Sequence, residues 1–292
     1  MSQDDKPTAS RSEATPSGRS LRGRMRRSPD KRPQPPLRNL LPNVLTVLAL
    51  CAGLTAIRFG LEGRYEFAVY AILVAALLDA FDGRLARMLK AQSSFGAELD
   101  SLADFFNFGV APVLILYTWS LDTLGGLGWV AVLGYSIACA LRLARFNVAT
   151  EDPDRPAWTS SFFVGVPAPA AAGLVMLPLY MDFSQITTFN TLPSLVAVHI
   201  GVVAFLMVSR LPTFSGKRLR LSARRDRALP FLLGVALVAA LAVSYPWKTL
   251  IGIAALYVVT LPLAFWRYRV LEKRTQIARA SRDRNLDEQT GD

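Results

Sequence analysis

Histidine and cysteine are nearly missing from this 292-residue chain: His199 stands alone, and Cys51 and Cys139 are the two cysteines. Each cysteine lies in a hydrophobic run with no cysteine or histidine nearby, so neither a disulfide framework nor a zinc site is encoded. A single histidine in an apolar run fits a packed polar residue, and no serine and histidine pair offers a covalent nucleophile. Large apolar residues are scarce across residues 1–36, where Arg, Ser, Pro and Asp predominate; such a segment cannot bury enough surface to fold alone. The first long apolar run, near Leu40, lacks a small-residue cleavage site ahead of it and is expected to be a retained span.

The chain as a whole is nevertheless hydrophobic, at 52% of its 292 residues and with positive mean hydropathy. Windows of about 17 to 25 apolar residues separated by short polar connections mark a polytopic helical membrane protein. The net charge of +11 raises nucleic acid as a partner, but the cations gather in the two tails and a few loops. That distribution reads as membrane topology and argues against nucleic acid.

Eight spans can be drawn: Pro42 to Phe59, Tyr65 to Lys90, Gly96 to Trp119, Leu127 to Ala149, Pro167 or Pro169 to Tyr180, Leu192 to Val208, Leu229 to Val243 and Trp247 to Trp266. Pro42 suits a first helical turn and Gly60 a stop. An even number returns both tails to one side, and the cations agree. Arg22, Arg24, Arg26, Arg27, Lys31 and Arg32 precede the first span; Lys273, Arg274, Arg279, Arg282 and Arg284 follow the last; the connection after the sixth is rich in Arg and Lys from Arg210 to Arg227. Arg58 and Arg64 are the main exceptions in the outer loops. Tyr65, Trp119, Tyr180, Trp247 and Trp266 near span ends suit interfacial anchors. The expectation is an all-α integral membrane bundle of about eight transmembrane helices with both termini cytoplasmic. It divides into a disordered basic tail (1–36), a six-helix catalytic core (37–220), two additional helices (221–269) and a charged tail (270–292).

Within this apolar sequence lie Asp79, Asp82, Asp100 and Asp104, at the cytoplasmic ends of the second and third spans. A mid-membrane Asp costs roughly 2.5 to 3.5 kcal/mol, so four approach the order of 10 kcal/mol, less near the interface. Helical spacing puts Asp79, Asp82 and Ala86 on one stripe and Gly96, Asp100 and Asp104 on another; the short connection at 91–95 makes the helices antiparallel neighbours. Like charges about 4 Å apart repel by roughly 4 kcal/mol at an effective dielectric near 20. Arg84 and Arg87 can offset part of this, but a cluster of hard oxygens suits Mg²⁺ or Mn²⁺, two of which would clamp a diphosphate. Gly83 and Gly96 would let a phosphate or nucleoside approach the backbone closely.

The pattern D-x2-D-G-x2-A-R-x8-G-x3-D-x3-D, filled by Asp79, Asp82, Gly83, Ala86, Arg87, Gly96, Asp100 and Asp104, resembles the signature of the CDP-alcohol phosphatidyltransferases. Members are integral membrane enzymes that use divalent metals. In the relevant branch they transfer the phosphatidyl group of CDP-diacylglycerol to an alcohol and release CMP. The resemblance implies metal ligation by Asp79, Asp82 and Asp100, with Asp104 as general base and a further contact to the second of two ions, Mg²⁺ or Mn²⁺. Gly83, Ala86, Gly96 and Arg87 would line the CDP-diacylglycerol site, Arg87 meeting the diphosphate, and Asn43 and Thr46 would approach the nucleotide. A homodimer in a bacterial inner membrane, with its active site facing the cytoplasm, is also implied.

Further segments resemble the membrane-integral phosphatidylserine synthase branch, whose acceptor is L-serine. They are D-F-F-N-F-G-V-A-P from Asp104, R-L-A-R-F-N from Arg142 to Asn147, F-F-V-G-V-P-A-P-A-A-A from Phe162, and R-L-P-T-F-S-G-K from Arg210 to Lys217. Val166 stands where leucine is more usual. Asn107, Arg142, Arg145 and Lys217 are the acceptor-site candidates, because guanidinium groups suit a carboxylate. A positive-inside anchor is the competing reading of both arginines, and glycerol phosphate, inositol phosphate or choline are competing acceptors. A cation transporter would also carry acids in its helices, but would not need Arg87 and two glycines in this register. A membrane prenyltransferase would place its acidic motifs far apart in sequence.

Overall fold

The structure, a computed structural model, describes residues 36–89, 93–151, 162–186, 189, 192–209, 212–214, 228–264 and 266–267. The basic tails, the cations at 217–227 and Lys217 lie outside the described residues. Helices follow the apolar runs: α1 (Pro36–Leu61), α2 (Tyr65–Leu89), α3 (Ser94–Asp104), α4 (Ala111–Trp119), α5 (Gly126–Glu151), α6 (Ala168–Val175), α7 (Leu177–Phe183), α8 (Pro193–Val208), α9 (Ala228–Ser244) and α10 (Pro246–Ala264).

Among the described residues four stretches are long and apolar enough to cross a membrane: Leu40–Leu61, Ser94–Trp119, Gly126–Ala149 and Pro246–Ala264. Pro193–Val208 and Leu232–Ser244 are shorter apolar helices. The 25-residue α2 has the length but carries Glu66, Asp79, Asp82, Arg84 and Arg87. Its exception to the apolar rule is the set of acids themselves.

Several local expectations change. α1 begins at Pro36, so Pro42 lies inside the helix rather than in its first turn, and its carbonyl accepts from Thr46 Oγ1 at 3.1 Å. Gly60 does not stop α1: a Cβ there would lie 3.2 Å from Ile115 Cγ1, so this glycine admits α4. The turn falls at Gly63, whose φ of 72° favours glycine. The expected fifth span is broken into α6 and α7 at Met176, where Pro178 removes a backbone donor. Tyr180, expected at the interface, is buried in the core.

The third span is continuous through a π-helical turn, Phe105–Val110, between α3 and α4. A short antiparallel ribbon joins β1 (Phe162–Val164) to β2 (Pro212–Phe214), pairing Phe162 with Phe214 and Val164 with Pro212. Gly165 follows with a φ of 79°, and a Cβ there would strike the Met207 and Ser209 carbonyls. The ribbon thus brings together the two distant segments singled out after the fourth and sixth spans.

The core is built from Phe108, Ile115 and Leu116 of the third span, Tyr135 of α5, Met176 and Leu179 around the α6–α7 break, and Ile200 and Met207 of α8. At the end remote from the acids, Tyr65 Oη donates to Thr118 O at 2.7 Å. Arg58 pairs with Glu62 at 2.8 Å, and Arg64 lies over the Phe59 and Phe67 rings. Both cations that break the outer-loop pattern are therefore locally engaged. Trp247 packs on Tyr70 and Phe183, with centroids 5.2 and 4.7 Å away, and tethers the start of α10 to α2 and α7. Residues 232–244 of α9 are exposed, and their apolar side chains suit lipid.

Candidate active site

Ser93 starts α3 in the right place. Its backbone is extended, and its Oγ accepts from Gly96 N at 3.0 Å as an N-cap. From that start the stripe of Gly96, Asp100 and Asp104 faces the stripe of Asp79 and Asp82 on α2. One carboxylate oxygen from each of Asp79, Asp82 and Asp100 lies within 4.8 Å of the others. The Asp104 carboxyl meets that of Asp79, so all four acids form one cluster.

α1 supplies the third wall. Thr46 Oγ1 donates to Asp82 Oδ2 at 2.8 Å, which orients this buried carboxylate. Asp82 Oδ1 and Asp104 Oδ1 are buried without a hydrogen-bond partner among the described residues. Among the described residues the ion pairs join Arg58 and Arg64 to Glu62, and none reaches the four aspartates. Arg84 and Arg87 are exposed, and Arg87 Nε donates to Gly83 O at 2.9 Å. The expected offset by these arginines is thus not a direct pairing. Clustered, hard, partly orphaned oxygens fit a divalent cation, which would supply the charge that the protein does not.

The two signature glycines differ. A Cβ on Gly83 would meet nothing within 4 Å, leaving the backbone open to a ligand beside Arg87 and Ala86. On Gly96 it would lie 2.9 Å from Asn43 Oδ1, so this glycine admits the Asn43 amide and seats α1 against α3.

The acceptor candidates separate as well. Asn107 sits in the π turn, 1% exposed, with neither Nδ2 nor Oδ1 partnered among the described residues. Arg142 is buried on α5, within electrostatic range of Asp104 and with its Nε unpartnered. Arg145, one turn on, is exposed and its Nη1 donates to Val208 O at 2.8 Å, capping the end of α8. Asn147 Nδ2 reaches Ser101 Oγ at 3.1 Å and ties α5 to α3. Lys217 is outside the described residues. His199 Nε2 lies 2.9 Å from Leu174 O, a packing tie away from the acids.

Sequence reasoning missed the π turn and its supports. The available signal was Pro112: it has no N–H for Phe108 O, the carbonyl four residues back, so ordinary helix pairing must lapse there.

Residues 39–208, which run from α1 through α8 and contain every candidate above except Lys217, match the family model described as CDP-alcohol phosphatidyltransferase. Residues 228–262, covering α9 and most of α10, match CDP-alcohol phosphatidyltransferase 2. A Mycobacterium leprae protein named CDP-diacylglycerol–serine O-phosphatidyltransferase is 41% identical over 232 residues, spanning 80% of this chain and 76% of its own. Proteins of the same name from Helicobacter pylori (36% over 177 residues; 60% and 73%) and Bacillus subtilis (38% over 173 residues; 59% and 89%) are also similar.

Proposed function

The chain belongs to the CDP-alcohol phosphatidyltransferase family, and from that premise we propose that it transfers the phosphatidyl group of CDP-diacylglycerol to L-serine, giving phosphatidylserine and CMP. The observation that carries the chemistry is the cluster of Asp79, Asp82 and Asp100 oxygens within 4.8 Å, with Asp104 against it. The serine acceptor draws its support from the shared name of relatives in several bacteria and in Saccharomyces cerevisiae.

Divalent-metal dependence is a property of the family, and the four aspartates would hold two ions, Mg²⁺ or Mn²⁺. Bound there, the ions would neutralise the diphosphate and stabilise the attacking and leaving oxygens. Thr46 holds the Asp82 carboxylate in place. Asn43, Thr46, Gly83, Ala86 and Gly96 would line the CDP-diacylglycerol site, with the Arg87 guanidinium on the diphosphate. Asp104 would take the serine hydroxyl proton at its unpartnered Oδ1 while the serine oxygen bonds to phosphorus and the bond to the CMP oxygen breaks. Arg142, and with it Asn107, Arg145 and Lys217, would receive the serine head group.

The family and the cation distribution favour an integral homodimer in a bacterial inner membrane, with both termini and the active site cytoplasmic. They also favour a six-helix core at 37–220, two added helices at 221–269 and tails at 1–36 and 270–292.

Purified protein given Mn²⁺ or Mg²⁺, CDP-diacylglycerol and labelled serine should form labelled phosphatidylserine. Exclusive labelling by glycerol phosphate, inositol phosphate or choline would overturn the serine assignment and leave the phosphatidyl-transfer chemistry standing. Because displacement is direct, labelled CMP should not exchange into CDP-diacylglycerol without serine; exchange would reveal a phosphatidyl-enzyme. Arg142→Lys keeps the charge but loses the guanidinium fork, so the KM for serine should rise about 10- to 100-fold, with that for CDP-diacylglycerol within about twofold.

A further inference from the structure

Between Asp104 and Pro112 the third span leaves α-helical pairing: Ala111 N–H reaches Phe106 O, five residues back. Pro112 cannot bond Phe108 O, and α5 takes over that carbonyl. Tyr135 Oη donates to Phe108 O at 3.1 Å, and Ser136 Oγ donates to Gly109 O at 3.0 Å. Tyr135 is fully buried. Gly109 permits the approach, since a Cβ there would lie 2.8 Å from Cys139 Sγ on the same helix.

The turn gripped this way contains Asn107. Its amide is pressed against Gly53 of α1, where a Cβ would collide with it. Gly53 lies about 10 Å further along α1 than Thr46, at 1.5 Å per residue, so the amide lies below the acids, toward the bilayer interior. A buried amide with neither atom partnered among the described residues carries a desolvation cost, a conformation that needs holding.

We propose that Tyr135 and Ser136 are positioning residues for the acceptor alcohol: by binding the Phe108 and Gly109 carbonyls they hold the π turn that sets the Asn107 amide, three residues along the same span from Asp104. The inference rests on the reading of Asp104 as the base toward the acceptor. Neither hydroxyl touches substrate, and both act through Asn107. Pro112 leaves the Phe108 carbonyl without its helical donor, and the α5 hydroxyls hold the turn that results.

The test uses the full chain in detergent or vesicles with Mn²⁺, comparing wild type, Asn107→Ala, Tyr135→Phe, Ser136→Ala and Asn107→Ala/Tyr135→Phe. Tyr135→Phe keeps the ring and removes one hydrogen bond, so the KM for serine should rise about three- to tenfold. The KM for CDP-diacylglycerol should hold, and the thermal midpoint should fall only modestly, because the buried Phe108 carbonyl loses its donor. Asn107→Ala should raise the serine KM at least as much, and the double variant should do no worse than Asn107→Ala alone, the mark of a shared route. An unchanged serine KM in Tyr135→Phe, equal rises for both substrates, or fully additive effects would each overturn the proposal. Should Tyr135→Phe not fold, Ser136→Ala and its double variant with Asn107→Ala decide by the same criteria. If wild type uses another alcohol, the serine reading fails by itself, and the same comparison with that alcohol still decides the role of Tyr135.

Discussion

Replacing Asp104 with asparagine should lower phosphatidyl transfer about 10²- to 10⁴-fold, the usual contribution of a positioned general base. The substitution is nearly isosteric, and the neighbours of Asp104 are the Asp79 carboxyl on one side and the Arg142 guanidinium within electrostatic range. It removes one negative charge from a crowded cluster, so the fold should tolerate it. CMP binding in the presence of Mn²⁺ should persist, because Asp79, Asp82 and Asp100 retain their oxygens within 4.8 Å of one another. Retention of wild-type turnover would remove Asp104 from the proton path. Loss of CMP binding in step with turnover would make it chiefly a ligand.

Asp79→Asn should have the larger effect on metal affinity. Asp79 is the acid that touches both sets: its oxygen belongs to the three-acid cluster, and its carboxyl also meets Asp104. Partners one layer removed from a metal typically change affinity 10- to 100-fold, so losing a direct ligand should reach or exceed about 100-fold. Mn²⁺ titration followed by electron paramagnetic resonance reads this without turnover. Chelation of wild type should abolish transfer reversibly, and added Mn²⁺ should restore it. An Asp79→Asn protein that binds Mn²⁺ like wild type would displace this residue from the metal site. Thr46→Val is a useful contrast, since it leaves the four aspartates intact and removes only the hydroxyl that meets Asp82 Oδ2 and the Pro42 carbonyl.

The site has two halves, and only one was plain before the fold was known. The acids, Gly83, Ala86 and Arg87 repeat at helical spacing along two neighbouring helices, so local geometry already placed them on facing stripes. Their clustering follows from spacing and a short connection. The acceptor half depends on helices distant in sequence. Arg142 and Arg145 look equivalent as residues, yet α8 ends beside Arg145 and takes its donor, while Arg142 is buried toward Asp104. Gly83 and Gly96 look equivalent too, until Asn43 fills the space before one of them.

What could be read from residues alone was therefore the membrane class, the helical runs and the acidic signature, because each is encoded in composition or in a repeat along one or two adjacent helices. Helix rotation was a different matter. In spans that are apolar all round, no amphipathic stripe announces which face is inward. Packing between distant helices chose the faces: Tyr135 found the Phe108 carbonyl that Pro112 left free and Ser136 the Gly109 carbonyl beside it, β1 found β2, and Asn107 came to rest against Gly53. Those contacts are long-range, so their partners could be assigned only once the chain was folded.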